Sequence, residues 1–425
     1  MKLFTSLRVR WFIFALLFGF AFTGYVQRTG VAIAADRMMP ELGLTQVEVG
    51  WILTAFLFTY SVFQLPGALA GEWFGARKTL TALGLITVVA SCATAAAPTI
   101  AVAGTLFFTL LLARSLLGVA QAALFPVSSG AIREWFPVGH WASAQGLQIT
   151  GLWLGAAVTP PLVAWLMGRH GWQWALVITS APSLVLVVLW YGYFRNHPAE
   201  HRRVSAPELD ELRANPPDES GSPVTLRRLL RVLGDPDILK ITASYFLMNY
   251  VFYLVTFWSF LYLVQQRHMT ALESGWLASL PFVAAGAASA IGGRLADYFR
   301  ARWGDRIGMR VLPLGALPLS ALLLYLTVTT LSPYWAVVAL CLAFACCEVT
   351  EGPFWAATMR LAPADTMAAT AVLNTGGNLG GVVATPIIAA LSAHNGWTAV
   401  FATGAALSLA AAALWFWIDA GGKAR

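Results

Sequence analysis

The chain has 425 residues, of which 58% are hydrophobic and 11% are charged, and its formal net charge is +7. Soluble proteins carry about 25% charged residues, so the composition argues against a soluble enzyme or a nucleic-acid-binding protein. Many apolar stretches reach the length of about 20 residues that crosses a hydrocarbon core of roughly 30 Å. The sequence therefore predicts a multi-pass integral membrane protein in a lipid bilayer.

Apolar runs separated by polar turns follow one another along the whole chain. They predict an all-α integral membrane fold with twelve transmembrane helices. The first run resembles a signal peptide, but it is long and contains Arg28, so we expect it to be retained as a helix. The predicted spans are residues 11–35, 48–71, 79–97, 101–131, 142–167, 173–195, 240–264, 273–297, 309–330, 334–358, 367–391 and 397–418.

The longest polar segment, residues 196–236, divides the predicted spans into six plus six. The expected organisation is an N-terminal six-helix bundle (1–195), a cytoplasmic central loop (196–236) and a C-terminal six-helix bundle (237–425). Within the loop, the leucines of residues 223–233 fall on one side of a short amphipathic helix. Such a helix is typical of segments that lie along the membrane surface.

Lysine and arginine are distributed unequally between the two sides of the membrane. With the N-terminus placed in the cytoplasm, the inner segments and the span ends next to them hold 22 of the 27 basic residues, the outer loops hold three, and two (Arg28 and Arg114) lie deep within spans. This bias predicts that both termini are cytoplasmic. We expect a multi-pass protein of the inner (plasma) membrane, with no nucleic-acid partner.

The sequence offers no pattern typical of a cofactor, a metal site or an enzyme. The four cysteines lie within apolar runs, without a CxxC motif or a Cys/His cluster. His140, His170 and His394 fall at loop positions without paired ligands. We therefore predict no cofactor, no metal and no catalytic site. A membrane sensor is a second non-transporting alternative, beside a membrane enzyme. A sensor would usually carry an added soluble domain.

The two halves of the chain contain matching stretches. GRHGWQWALV (168–177) precedes span 6, and SAHNGWTAVF (392–401) precedes span 12. PGALAGEWFGARK (66–78) follows span 2, and GGRLADYFRAR (292–302) follows span 8. Such internal symmetry indicates a duplicated six-helix unit and is a mark of secondary transporters.

Twelve spans, a central inner loop and these turns resemble the major facilitator superfamily. Within it, the chain is most similar to the anion:cation symporter branch, which includes galactonate and hexuronate permeases and sialin. The local signals are Tyr25 with Arg28, RSLLGVAQAALFP (114–126), NYVFY (249–253), GPFW (352–355) and NTGGNLGG (374–381).

The resemblance implies a secondary active transporter, a monomer, that imports a small organic anion such as a sugar acid by alternating access. It implies a proton as the coupling ion, with sodium as the alternative. An exporter or facilitator of the same fold, acting on a zwitterionic or apolar metabolite or drug, is the alternative function. An exporter of drugs would need a wide apolar cavity, and two buried arginines argue against cationic drugs.

The family's turn after span 2 usually reads like PGGWLxDRxG, whereas this chain has PGALAGEWFG. Ala68 replaces a glycine, Glu72 an aspartate and Trp73 an arginine. The matching stretch after span 8, GGRLADYFRAR (292–302), keeps an aspartate, Asp297. We expect Glu72, Arg77 and Asp297 to act in gating, with a weaker contribution from the first half.

In the resembled fold, spans 1, 4, 7 and 10 line a central cavity, and charged groups within spans usually mark a transport pathway. An arginine offers a planar donor fork that suits a carboxylate. In the alternative interpretation, the arginines of spans 1 and 4 form internal ion pairs with the glutamates of span 10. The polar side chains of span 7 then only pack against neighbouring helices, with their hydroxyls bonded to the backbone. The predicted substrate-binding residues are Tyr25, Arg28, Arg114, Gln121, Asn249, Tyr250, Tyr253 and Asn374.

Proton-coupled members of the branch resemble one another in having acids where this chain has Gln27 and Gln121, and glutamine does not titrate. Glu348 and Glu351, neighbours at i, i+3 in span 10, are the predicted coupling residues. Two carboxylates in a partly desolvated site do not both ionise easily, so one could carry a proton near neutral pH. Alternatively, they neutralise the arginines of a facilitator, or they attract a cationic group of the substrate.

Overall fold

The structure, a computed structural model, describes residues 9–102, 104–136, 141–213, 226–362 and 365–419; a few side chains within helices, including that of Glu72, lie outside this description. The described chain is helical and contains no strand. Its α-helices are α1 (Val9–Leu42), α2 (Gln46–Ile100), α3 (Leu106–Ala122), α4 (Leu124–Trp135), α5 (Trp141–Tyr193), α6 (Ala206–Arg213), α7 (Leu226–Leu233), α8 (Pro236–Gln265), α9 (Ala271–Thr329), α10 (Pro333–Glu348), α11 (Glu351–Leu361), α12 (Thr366–His394) and α13 (Gly396–Leu414).

The predicted twelve spans are confirmed by the lengths of these helices. The described residues contain 11 apolar segments long enough to cross a membrane. One of them, Gln148–Tyr193, has 46 residues and bends sharply at Gly171, so it supplies two spans and brings the total to twelve. Large apolar side chains such as Phe108, Leu112 and Val188 are exposed on the outside of the helices, where lipid would cover them.

Glycines with positive φ mark the joints between paired spans. Gly75, Gly171 and Gly304 interrupt α2, α5 and α9 with φ of 76°, 81° and 77°. Gly396 (φ 77°) separates α12 from α13. A residue with a side chain rarely adopts this conformation. Gly171 and Gly396 occupy the matching HGW and NGW stretches, and Gly75 and Gly304 follow spans 2 and 8, so the backbone supports the predicted duplication.

Spans 4 and 10, predicted over 101–131 and 334–358, each contain a helix break that the sequence did not predict. Span 4 starts at Leu106 and is divided between α3 and α4, whereas span 10 is divided between α10 and α11. A proline follows each break, Pro126 in α4 and Pro353 in α11. Proline has no N–H to donate to the carbonyl four residues earlier, so Pro126 and Pro353 each remove one helical hydrogen bond at a break.

The chain packs into two compact units, unit 1 (residues 1–37 and 58–221) and unit 2 (residues 38–57 and 222–425). The division differs from the predicted bundles, because the end of α1 and the start of α2 belong to unit 2. There, Gln46 Nε2 donates to Ser392 Oγ at 2.8 Å. Gly50 lies so close to Ala389 that a Cβ atom on it would come within 2.5 Å of the alanine Cβ.

Within the predicted central loop, α6 is attached to α1 of the same unit by an ion-pair cluster. Arg10, only 3% exposed, donates from Nε to Glu208 Oε1 at 3.2 Å, and its two terminal nitrogens bond the carboxylate of Glu211. Nearby, His201 packs against the ring of Trp135. Partial burial and neighbouring arginines lower the pKa of His201, so the ring remains neutral at pH 7.

Replacing Arg10 with alanine is expected to cost about 3 kcal/mol of stability, because it leaves the buried Glu208 without its cation. Thermal unfolding of the purified protein measures this as a melting temperature several degrees lower. The matched control is Arg37→Ala. Arg37 is 58% exposed and 4.0 Å from Asp36, so the control should change stability by less than about 1 kcal/mol. Equal effects of the two substitutions would contradict the structural role of Arg10.

The amphipathic helix predicted for residues 223–233 is confirmed over α7, and residues 223–225 lie outside the described chain. Val232 is buried against Ile238, Ala368 and Ala369. Arg231 donates to Asp365 Oδ2 at 3.0 Å. These contacts fasten α7 to unit 2. Contact of its exposed leucines with the membrane surface stays a prediction.

Candidate functional site

Arg28 lies in the middle of α1 with its guanidinium between two tyrosine rings. The guanidinium carbon is 5.2 Å from the ring centre of Tyr25 and 4.9 Å from that of Tyr60. All three side chains are at least nine-tenths buried. The rings attract the cation through their π-electrons and restrict its position, so a planar charged donor is held at membrane depth.

Arg114 and Gln121, predicted to bind substrate, point from α3 at the backbone of α1. Arg114 donates to the carbonyl oxygens of Gln27 (3.3 Å) and Arg28 (2.8 Å). Gln121 Nε2 donates to the carbonyl oxygen of Gly24 at 2.9 Å. These bonds fix the segment of α1 that carries Arg28. Arg114 thus has a positioning contact in addition to the charge it contributes.

A cavity of about 20 Å³ lies beside this segment, lined by α1, α2, α3, α4 and α5 of unit 1. Neither amide atom of Gln27 has a hydrogen-bond partner among the described residues, and the same is true of Ser183 Oγ. Both side chains line the cavity. The space suits about one water molecule bonded to these groups and is too small for a sugar acid. The cavity is therefore distinct from a substrate site.

The polar groups predicted on span 7 form contacts with neighbouring helices. Tyr250 donates to the carbonyl oxygen of Val400 at 3.2 Å, and Tyr253 donates to Asn378 Oδ1 at 2.9 Å. Asn249 bonds the carbonyl oxygen of Tyr245 on its own helix. The two tyrosine hydroxyls thus have packing partners on α13 and α12, as in the alternative interpretation.

The glycines of α12 allow close contact with α8. A Cβ atom on Gly380 would come 2.5 Å from the carbonyl oxygen of Phe246, and one on Gly381 would meet the ring of Tyr253. Close approach of helix backbones is a common role of glycine in membranes. Asn378 Nδ2 donates to the carbonyl oxygen of Asn374, and Asn374 is partly buried.

Glu348 and Glu351 flank the break between α10 and α11 but have different surroundings. Glu351 accepts bonds from the hydroxyl of Tyr245 (3.0 and 3.2 Å) and from Trp355 Nε1 (2.9 Å). Glu348 is 1% exposed, and its Oε1 has no hydrogen-bond partner among the described residues. The sequence did not distinguish between the two acids, and the structure makes them chemically unequal.

The predicted gating residues lie apart from these groups. Arg77 donates to the carbonyl oxygen of Tyr191 through two nitrogens, at 2.9 and 2.7 Å, and fastens α2 to α5 within unit 1. Asp297 is exposed and lies 3.6 Å from Arg300 on its own helix. The side chain of Glu72 is outside the described part of the chain. A gating function for the three stays a prediction.

Three aromatic side chains that hold the charged groups, Tyr60, Tyr245 and Trp355, were not predicted as part of the site from the sequence. Trp355 follows Glu351 by four residues, a spacing that places both on one helix face, and Tyr245 precedes Asn249 by four. No spacing in the sequence predicts the contact of Tyr60 with Arg28, because the two residues lie on different helices. Only tertiary packing brings it there.

A family model described as Major Facilitator Superfamily matches residues 11–369 and 301–425. The chain belongs to the Major Facilitator Superfamily. It is 27% identical over 379 residues to a probable sulfoacetate transporter of Cupriavidus necator, covering 88% of this chain and 85% of that protein. It is also 27% identical over 344 residues to a probable galactarate/D-glucarate transporter of Escherichia coli K12, covering 77% and 76%.

Two solved structures of superfamily transporters share the fold. A bacterial homologue of the human lysosomal transporter Spinster, inward-facing and occupied, has a TM-score of 0.77 at 15% identity over 96% of each chain. The inward-open xylose transporter XylE of E. coli has a TM-score of 0.74 at 11% identity, again over 96% of each chain. The predicted fold and the resemblance to the anion symporter branch are confirmed, and the chain is a multi-pass membrane transporter rather than an enzyme.

Proposed function

We propose that the protein transports small organic anions, such as sugar acids or sulfonates bearing a carboxylate, by alternating access. The observation that carries the proposal is the presence of two buried arginines in unit 1 whose positive charges repel each other. An anion bound beside Arg28 relieves that repulsion and can accept a two-pronged bond from its guanidinium. The relatives named for sulfoacetate, galactarate and glucarate carry substrates of this chemistry.

Tyr25 and Tyr60 restrict Arg28, and Arg114 with Gln121 fixes the backbone beneath it. A donor fork that is already oriented loses less conformational entropy when a carboxylate binds. We infer that Arg28 is the direct contact, with Tyr25 and Tyr60 at its sides. Asn249 and Asn374 remain candidates for contacts with substrate hydroxyls.

We further propose import by symport with protons across the bacterial inner membrane, with both termini in the cytoplasm. The orientation rests on the 22-to-3 distribution of basic residues between inner and outer segments. Proton coupling rests on the carboxyl groups at the break in span 10, because Gln27 and Gln121 cannot titrate. A sodium ion is less suited to the cavity at Gln27, since the nearby arginines repel cations.

Thermal unfolding of the purified protein in a panel of organic acids tests the proposed substrate class. A ligand that binds only the folded state, at a hundred times its Kd, adds about 2.7 kcal/mol of stability. We expect glucarate, galacturonate or sulfoacetate to raise the melting temperature of the wild type but not of Arg28→Ala. Arg302→Ala, an exposed arginine of α9, should keep the response. Stabilisation by amines or neutral sugars alone would contradict an organic-anion substrate.

A further inference from the structure

The two acids of span 10 lie on either side of the helix break, one at the end of α10 and the other at the start of α11. Glu348 is the last residue of α10, and Glu351 is the first residue of α11. A helix C-terminus carries partial negative charge and an N-terminus partial positive charge. This backbone effect is small here, because Val349 and Thr350 between the two helices keep αR torsion angles, so the two acids differ mainly in burial and hydrogen bonding.

Hydrogen bonding distinguishes the carboxyl group of Glu348 from that of Glu351. The carboxylate of Glu351 accepts from Tyr245 and Trp355, and the side chain is only partly buried. Glu348 is almost completely buried, and no residue in the described part of the chain donates to its Oε1. A buried carboxylate without a donor or a cation is strongly unfavourable, and such a group remains neutral by keeping its proton. The titratable groups that face Glu348 are Glu351, Tyr245 and the thiol of Cys347, and none of them is a cation.

We propose that Glu348 is the proton-carrying site of the transporter and that Glu351 is a fixed anion which positions Tyr245 and Trp355. The proposal rests on the proposed function and assigns its coupling step to one residue. Glu348 is protonated in the buried arrangement seen here. When water reaches the break in span 10, the O–H bond breaks and the proton leaves to solvent, and the carboxylate takes up a proton again from the other side of the membrane.

The break between α10 and α11 supports the release and uptake of a proton by Glu348. At the break the N–H of Thr350 bonds the carbonyl oxygen of Cys347, three residues earlier, and Gly292 of α9 packs directly on the carbonyl of Val349. Irregular backbone at membrane depth occurs where it is buried in protein or lines a water-filled cavity. A small movement of α9 is sufficient to change the access of water to the adjacent carboxyl.

Transport in proteoliposomes separates coupling from substrate recognition. Radiolabelled glucarate and sulfoacetate serve as probes, in exchange at equal pH and in uptake driven by an imposed pH gradient. We expect Glu348→Gln, which imitates the protonated state, to keep exchange but to lose accumulation above equilibrium. Glu351→Gln should slow both reactions, since the amide keeps a single acceptor oxygen for the two donors Tyr245 and Trp355, yet still accumulate substrate. Glu273→Gln, at the start of α9, is the carboxylate control and should accumulate as the wild type does.

Infrared spectroscopy tests the protonation without any substrate. The carbonyl stretch of a protonated carboxylic acid should be present in the wild type and in Glu351→Gln, and absent from Glu348→Gln. Persistence of this band in Glu348→Gln, or gradient-driven accumulation by that variant, would overturn the assignment. If the wild type exchanges neither acid but shows the expected band pattern, the substrate proposal fails while the protonated site stands. If the wild type lacks the band, the site fails whatever the substrate.

Discussion

Replacing Arg114 with alanine lowers the melting temperature of the ligand-free protein by roughly 5–10 °C. The guanidinium donates to the carbonyl oxygens of Gln27 and Arg28 from a fully buried position. Hydrogen bonds from a charged group contribute about 1.5–3 kcal/mol each, and about 1 kcal/mol corresponds to roughly 2–4 °C in a domain of 150–250 residues. The expected loss is therefore larger than for most substitutions in the chain.

Two further variants make the Arg114 result specific. Arg114→Lys should have an intermediate melting temperature, because a single ammonium cannot reproduce the planar fork. Arg169→Ala removes an exposed arginine that covers the ring of Trp165 and should leave the melting temperature nearly unchanged. If Arg114→Ala melts like the wild type but loses its response to glucarate, Arg114 is a direct substrate contact and not a positioning residue.

Replacing Gly292 with alanine should reduce the rate of transport by about tenfold or more. A Cβ atom at this position would lie 2.2 Å from the carbonyl oxygen of Val349, so α9 and the break in span 10 must separate by roughly 1 Å. Overpacking of this kind costs about 1–3 kcal/mol, and 1.4 kcal/mol corresponds to a factor of ten. Initial rates of radiolabelled glucarate uptake, normalised to protein in the membrane, measure the effect.

The adjacent glycine supplies the matched control for this prediction. A Cβ atom on Gly293 would meet nothing within 4 Å, so Gly293→Ala should transport at close to the wild-type rate. Both variants change the same helix by the same methyl group and differ only in what that group contacts. Equal rates for the two variants would show that the tight contact at Val349 has no part in transport.

The number of spans and the internal repeat were predictable, because both depend on local composition. Apolar runs of about 20 residues identify helices in a membrane, and glycines such as Gly171 and Gly396 identify the turns between them. The breaks in spans 4 and 10 also have a local cause in Pro126 and Pro353. A continuous apolar run conceals this signal, since hydropathy alone does not distinguish a straight helix from a broken one.

The charged residues of the site were predictable individually, whereas their partners were not. An arginine within a span is unusual enough to identify Arg28 and Arg114 from sequence. Which way a side chain points depends on the crossing of helices, so the bonds from Arg114 to the backbone of α1 could not be anticipated. The inequality of Glu348 and Glu351 depends on a helix break between them and on Tyr245 from another helix, both tertiary features.

The neutral amides at Gln27 and Gln121 have a consequence for the anion site that we propose in unit 1. Arg28 stays charged at every physiological pH, and organic carboxylates are ionised above about pH 5. Neither partner of the binding step changes its charge between about pH 5 and 8. Unit 1 therefore resembles a fixed-charge ion exchanger. Its affinity for an organic anion falls when inorganic anions compete at high ionic strength and stays constant across this pH range, so transport and binding should respond differently to acid.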